Sequence, residues 1–304
     1  MTHVVTNTIK RSFYEADARH RLVGLLDAGS FRELVPPEER AISPHLPRLD
    51  VAVAFDDGVV VGAGTLAGRA VLAASQEGGF MGGAVGEVHG AKITGLLQRA
   101  VDEKPAAVLL LLESGGVRLH EANAGLIAVS ETMRAVFDAR AAGVVVIGLI
   151  GSTVGCFGGM GLIARCCDVI VMSEEGRLGM SGPEVIETAH GVEEFDSRDR
   201  ALVWRTVGGK HRYLLGEADR LVDDSIAAFR GAAIDVLDVR RSLTLEALFA
   251  EHASLTERLE RFGDAGDAVE IWRRIGITDP DALPLLDTEA FIVVAEPVRL
   301  RIQD

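Results

Sequence analysis

Two kinds of hydrophobic pattern alternate along the chain. Val108–Leu112 and Val144–Ile150 are continuous apolar runs. Such runs suit strands buried on both faces, as in a parallel sheet covered by helices. Between them Leu119, Ala122, Leu126, Val129, Met133, Val136 and Phe137 recur by threes and fours, which predicts a helix with one apolar face. Each run leads into a glycine pair, Gly115–Gly116 and Gly158–Gly159. The stretch Ala107–Glu187 therefore reads strand, glycine turn, helix, strand, glycine turn, helix, an α/β pattern.

The rest of the chain is arranged around this stretch. Residues 1–12 read as a loose arm and Ala16–Leu26 as a helix. Val51–Phe55 and Val59–Ala63 flank Asp56-Asp57-Gly58, which predicts a hairpin. Arg69–Ala74 reads as a third strand. The glycine cluster Gly78–Gly86 precedes a helix running to about Val101. It lacks the lysine and hydroxyl of a P-loop, which excludes a nucleotide hydrolase. Tight packing is its simpler role; a phosphate cradle at Gly82 and Gly83 is the alternative. Beyond Leu221 the pattern is helical at Ser225–Leu237, Thr244–Phe262 and Ala268–Ile275, either packing on the core or forming a subunit contact. Asp279–Leu286 is a proline-marked loop, and Phe291–Ala295 reads as a last strand.

Composition narrows the choices. The chain has 304 residues, enough for a large core, and a net charge of −14. That charge argues against nucleic acid and anionic membrane as partners. Cys156, Cys166 and Cys167 lack metal-ligand spacing and read as buried thiols in a reducing cytosol. No signal peptide or membrane span is visible, so a cytoplasmic protein is expected.

The glycine turns are where chemistry can sit. Glycine adopts positive φ without strain and lets a ligand approach backbone N–H groups. N–H groups at a helix start have no intrahelical partner. Two such turns brought together would form an oxyanion hole; the plain alternative is close packing of turns in an α/β core. Two pairs, each at the carboxyl end of a buried strand, favour the site.

The motifs resemble a known superfamily. GGMGLIARCCD, Gly158–Asp168, is similar to the second oxyanion loop of the crotonases, GGGxExAxxCD. SGGVR at Ser114–Arg118, followed by Glu121, resembles the SGGAR…E loop of the carboxyltransferase branch. GMSGPEVI at Gly179–Ile186 resembles its GFAGPRVI, and LLDAGSFREL at Leu25–Leu34 a structural phrase of the same branch. The segment Gly191–Asp224 is similar to the β subunits of biotin-independent malonate decarboxylases. The acetyl-CoA carboxylase β subunit carries an N-terminal four-cysteine zinc ribbon that is missing here. The resemblance covers roughly Arg19 to Asp224.

It implies a crotonase (ClpP-like) spiral of ββα units over 1–304, with a core of about 16–224 and additional C-terminal helices at 225–304. It implies Gly115, Gly116, Gly158 and Gly159 as oxyanion-hole residues, with His120 as a proton donor or carboxylate holder; His120 bonding to backbone at a helix start is an equal alternative. Ser114, Val117, Arg118, Phe157, Met160 and Gly182 are expected to line the substrate. Arg118 has a second expected role, pairing with Glu121 or a partner chain. Gly82, Gly83, Lys210 and Arg212 are the expected contacts to a phosphate-bearing arm; for the last two, a solvated turn after Gly208–Gly209 is the competing reading. Hydratases of the superfamily place a glutamate where this chain has Leu162, and leucine is no acid or base. Enoyl hydration is therefore not expected. The implied reaction is decarboxylation of a malonyl thioester through an enolate, with a γ subunit and an acyl-carrier subunit as partners. The carrier would deliver a CoA-derived prosthetic group; neither biotin nor metal is implied. The alternatives are a carboxyltransferase subunit of a biotin-dependent carboxylase and a non-catalytic partner-binding subunit.

Overall fold

A computed structural model describes residues 12–301. Its sheet contains β1 (Arg32–Glu33), β2 (Val59–Leu66), β3 (Arg69–Gln76), β4 (Ala107–Leu111), β5 (Val145–Ile150), β6 (Val169–Ser173) and β7 (Arg220–Val222). The strands lie side by side in chain order. The first three are antiparallel and β3 to β7 are parallel. The helices are α1 (Ala18–Leu25), α2 (Glu87–Glu103), α3 (Asn123–Ala141), α4 (Gly158–Cys166), α5 (Pro183–His190), α6 (Arg200–Val207), α7 (Gly209–Leu214), α8 (Ile226–Asp235), α9 (Leu245–Phe262), α10 (Ala268–Arg274) and α11 (Thr288–Ala295).

The continuous apolar runs are explained by two cores. Val108 and Leu110 of β4 point into one core, with α2, α3 and α4 above them. Leu109 and Leu111 point into the other, against Leu22 of α1 and Phe229 of α8. Side chains alternate faces along a strand, so a strand covered on both sides must be apolar at every position. Past each strand the chain makes a one-residue parallel bridge before its helix. Val85 pairs with Val117, Ser114 with Cys156, and Cys156 with Leu178. The repeat is therefore strand, bridge, helix, and the bridges form a short second layer at the carboxyl ends of the parallel strands.

Three expectations are corrected. Val51–Phe55 is not a strand. The hairpin joins β2 to β3 instead, through Ala67 and Gly68, both at positive φ. Asp27 fixes this turn by accepting from both N–H groups. The aspartates of the supposed turn are tied to arginines, Asp56 to Arg19 and Asp57 to Arg118. Phe291–Ala295 is helix, not strand. Asp287 caps its start, and the buried residues Phe291 and Ala295 lie one helical turn apart while Val293 is exposed. Finally, α3 turns a different face inward than its large apolar residues suggest. Ala128, Val129, Thr132, Ala135 and Val136 are buried, whereas Leu119 is 86% and Leu126 54% exposed. A Cβ on Gly90 of α2 would lie 2.5 Å from the Ala128 Cβ. The two helices approach so closely that only small residues fit between them. The predicted N-terminal arm lies outside the described residues except for Ser12, whose hydroxyl donates to Asp224.

Candidate active site

The two glycine turns meet. Gly116 has φ +128° and Gly158 has φ +59°, and a Cβ on Gly158 would lie 2.9 Å from the Gly116 Cα. The parallel bridge Ser114–Cys156 fixes this contact, with the Phe157 N–H donating to the Ser114 carbonyl at 2.8 Å. Gly159 continues onto α4, where a Cβ would strike Val129 of α3 at 2.7 Å. Glycine is therefore required at the approach of the turns and at the approach of the helices.

The donors are not distributed as the glycines suggest. The Gly115 N–H donates to the Gly82 carbonyl, the Gly116 N–H to the Ser114 hydroxyl, and the Gly158 N–H to the Met180 carbonyl. Three of the four expected donors are thus engaged. The Gly159 N–H has no hydrogen-bond partner among the described residues, as its place in the first turn of α4 requires. Neither does that of Val117. Arg118 N–H and Gly116 carbonyl make the bridge to Val85, so the Val117 N–H points to the opposite side of its strand. One free donor on each turn is the arrangement an oxyanion hole needs. The sequence marks Val117 only as a lining residue; its open N–H follows from the pairing of Gly116 and Arg118 with Val85, a segment distant in the chain.

Several expected contacts are corrected. Arg118 takes its expected pairing with Glu121 instead of a place against substrate: its side chain is fully buried and pairs with Glu121 and also with Asp57, both at 2.8 Å. Burial opposes ionisation of Glu121. The Glu87 N–H, the Ser43 hydroxyl and Arg118 nevertheless hold its carboxyl below the usual value. This buried network braces the first turn from behind. Ser114 is buried and spends its hydroxyl on Gly116. Phe157 and Met160 are core residues beneath the second turn. Gly83 has the tight-packing role expected of the cluster, since a Cβ there would lie 1.9 Å from the Glu113 carbonyl oxygen, and its N–H is spent on the Phe80 carbonyl; Gly82 gives its carbonyl to Gly115. Lys210 is buried, donating to the Pro284 and Leu286 carbonyls and pairing with Glu174. Arg212 pairs with Glu217. The basic spot of the sequence is thus used up inside the fold. Its middle residue, His211, accepts from the Trp272 ring N–H, and burial lowers its pKa to about 3.

His120 is exposed on the short turn Leu119–Glu121 that follows the first loop in the chain. Gly182 is the residue before α5, half-buried beside the second turn's partner strand. Leu162 is 41% exposed on α4, so an apolar side chain occupies the position at which an acid would be needed for hydration. Burial pushes the Cys156 and Cys167 thiols well above the usual range, which leaves them inert. Among the described residues no group of three or more His, Cys, Asp or Glu is placed to hold a metal, and no helix is long and apolar enough to cross a membrane.

The carboxyl transferase domain model matches residues 15–212. The chain belongs to the carboxyl transferase family. This carboxyltransferase chain is 42% identical to the malonyl-S-ACP:biotin-protein carboxyltransferase of Malonomonas rubra, over 95% of its own length and 97% of that protein's. It is 32% identical to the acetyl-CoA carboxylase carboxyl transferase β subunit of Fusobacterium nucleatum, over 58% of this chain and 59% of that one. Among solved structures it is similar to a chain of a Pseudomonas malonate decarboxylase hetero-tetramer in complex with malonate, with 39% identity and a TM-score of 0.79, covering 88% of this chain and 98% of that one. A transcarboxylase 12S chain matches with 27% identity and a TM-score of 0.62, over 73% and 40% of the two chains. The fold is therefore that of the crotonase-like carboxyltransferases, and the chain is a malonate decarboxylase-related member of them.

Proposed function

We propose that this carboxyltransferase is the subunit of a malonate decarboxylase that cleaves CO2 from a malonyl thioester. The observation that carries this reading is the pair of free N–H groups, Val117 and Gly159, on turns held in contact by Gly116 and Gly158. A thioester oxygen between them would accept both. As the bond to the carboxylate breaks, its electron pair moves onto the thioester as an enolate and CO2 leaves. Each donor aimed at the developing oxyanion contributes about 3 kcal/mol. A proton from water or from His120 then reaches the α-carbon and gives the acetyl thioester. End-to-end coverage of the malonate-linked relatives supports the substrate class. One copy of the loop pair implies that a related partner subunit supplies the facing half of the site. The Pseudomonas relative is a hetero-tetramer, consistent with that. An acyl-carrier subunit with a CoA-derived arm would deliver the thioester.

A second reading has its own support. The Malonomonas relative is named as a carboxyltransferase to a biotin protein, and transfer shares the same enolate. The chain purified with its partner subunit is given a malonyl thioester, with and without a biotinyl carrier. Rapid CO2 release without the carrier supports decarboxylation. Cleavage that strictly requires the biotinyl carrier assigns transfer instead, and no cleavage in either case leaves a non-catalytic role.

A further inference from the structure

One buried side chain joins the loops that carry the two glycine turns. Glu113 stands between the end of β4 and the first turn, and its side chain is 3% exposed. Its Oε1 reaches the loop that follows β5, accepting from the Thr153 hydroxyl at 2.9 Å and from the Val154 N–H at 3.2 Å. Its Oε2 pairs with Arg21 of α1 at 2.5 Å. The Arg21 guanidinium also donates to the Phe13 and Tyr14 carbonyls, so the cation is itself held in place. The next residues of the two loops are joined by backbone, the Ser114 N–H donating to the Gly155 carbonyl at 2.8 Å.

The glycine cluster before α2 closes on the same carboxylate. A Cβ on Gly78 would lie 2.4 Å from Glu113 Oε1 and 2.8 Å from Val154 Cγ2, so a side chain there would push the tie apart. The Glu113 N–H donates to the Gln76 side chain at 3.0 Å, and the Gln76 amide meets the His89 ring at 3.0 Å. The other His89 ring nitrogen faces the Asp57 carbonyl, and the His89 backbone N–H donates to the Asp57 carboxylate. Asp57 pairs with Arg118, so Glu113 belongs to the network that braces the first turn. A buried ion pair seldom stabilises a fold more than well-packed apolar side chains of the same volume. A leucine at 113 would fill the space, yet it would accept nothing from Thr153 and Val154. What the carboxylate adds is a defined arrangement of two loops.

We propose that Glu113 is a positioning residue for the oxyanion hole, its carboxylate setting the loop of the second glycine turn against that of the first. This rests on the function proposed above. Being buried, Glu113 acts through the backbone and not on substrate. The Ser114–Gly155 and Phe157–Ser114 hydrogen bonds keep the turns adjacent; the carboxylate fixes the residues that lead into them. Without it the Val117 and Gly159 N–H groups no longer converge on one oxygen. An error of about 1 Å in such an arrangement costs on the order of 100-fold in rate. The donors act chiefly in the transition state, so the loss falls on kcat and not on KM.

The test uses the complex of this chain with its partner subunit. In Glu113→Gln either orientation of the amide sets a donor against a donor, Arg21 or the Val154 N–H. Thr153 is exposed, so its variants keep the fold. Thr153→Val retains the shape and the Arg177 bond to the backbone carbonyl but loses the hydroxyl, which Thr153→Ser keeps. With a malonyl thioester, Glu113→Gln should lower kcat about 10- to 100-fold with KM within about twofold. Thr153→Val should lower it about 3- to 10-fold, and Thr153→Ser should retain the native value. Backbone hydrogen exchange reads the tie without turnover: residues 154–162 should exchange faster in Glu113→Gln and Thr153→Val, and α2 should not change. Native kcat in a folded Glu113→Gln overturns the positioning role; where that variant does not assemble, native kcat in Thr153→Val does. A loss in Thr153→Ser equal to that in Thr153→Val also overturns it, because the hydroxyl is then not the cause. If the native complex cleaves no malonyl thioester, with or without a biotinyl carrier, the functional reading fails. Exchange then decides on Glu113 alone: faster exchange confined to 154–162 upholds the tie, and unchanged exchange overturns it.

Discussion

Adding one methyl group at Gly158 tests the site most directly. Alanine there carries two costs. The first is the left-handed backbone at φ +59°, about 1 kcal/mol for a residue with a Cβ. The second is the 2.9 Å approach to the Gly116 Cα. The obstacle is backbone, so it cannot swing aside, and the turns must part by about half an ångström to reach an ordinary contact. Gly29 separates the two costs. It has φ +73° with nothing within 4 Å of a built Cβ. Gly29→Ala should lower the melting temperature by about 2 °C and leave turnover alone. Gly158→Ala should lower it further, and turnover of a malonyl thioester should fall roughly 10- to 100-fold as the Val117 and Gly159 donors lose their common target. The assay is steady-state kinetics on the assembled complex beside thermal melts of both variants. A folded Gly158→Ala protein with the turnover of Gly29→Ala would refute the claim that contact between the turns sets the donors.

Other outcomes follow from the buried groups and from Leu162. Arg118→Met leaves Asp57 and Glu121 as buried carboxylates without their cation; stability should drop by about 3–5 kcal/mol in urea titrations, and a loss under about 1 kcal/mol would mean that water reaches them. His211 has a folded pKa of about 3 against 6.5 in the ordinary state. The unfolded chain therefore binds its proton first, and stability is lost as pH falls from 6.5 towards 3, by up to about 1.4 kcal/mol per pH unit. Urea midpoints of His211→Gln, which keeps an acceptor for Trp272, should fall less steeply over that window than those of the native protein; parallel curves would show that His211 does not titrate this way. Crotonyl-CoA should show no hydration above the buffer rate, because Leu162 stands at the position of the hydratase acid; measurable hydration would place a hidden acid in the site.

Where a physical constraint acts locally, the chain alone was enough. The continuous runs of β4 and β5 announce strands covered on both faces, because no alternation is possible there. The glycine pairs announce close approach, and the distances at Gly116, Gly158 and Gly159 give the reason. The helical periods at Ser225–Leu237 and Thr244–Phe262 could be read from spacing alone, and in the structure Ser225 and Thr244 cap those helices. The motif resemblance reached the carboxyltransferase family through the same turns. Tertiary structure decided which polar groups were already spent. Lys210 and Arg212 look like free cations in the sequence and become internal ties, because a buried charge must find partners and the fold brings Glu174 and Glu217 to them; for Arg118 the sequence already offered Glu121, and the fold added Asp57. It also decided which N–H groups stay open. That depends on Gly82 and Met180, carbonyls from distant segments that capture the neighbouring donors.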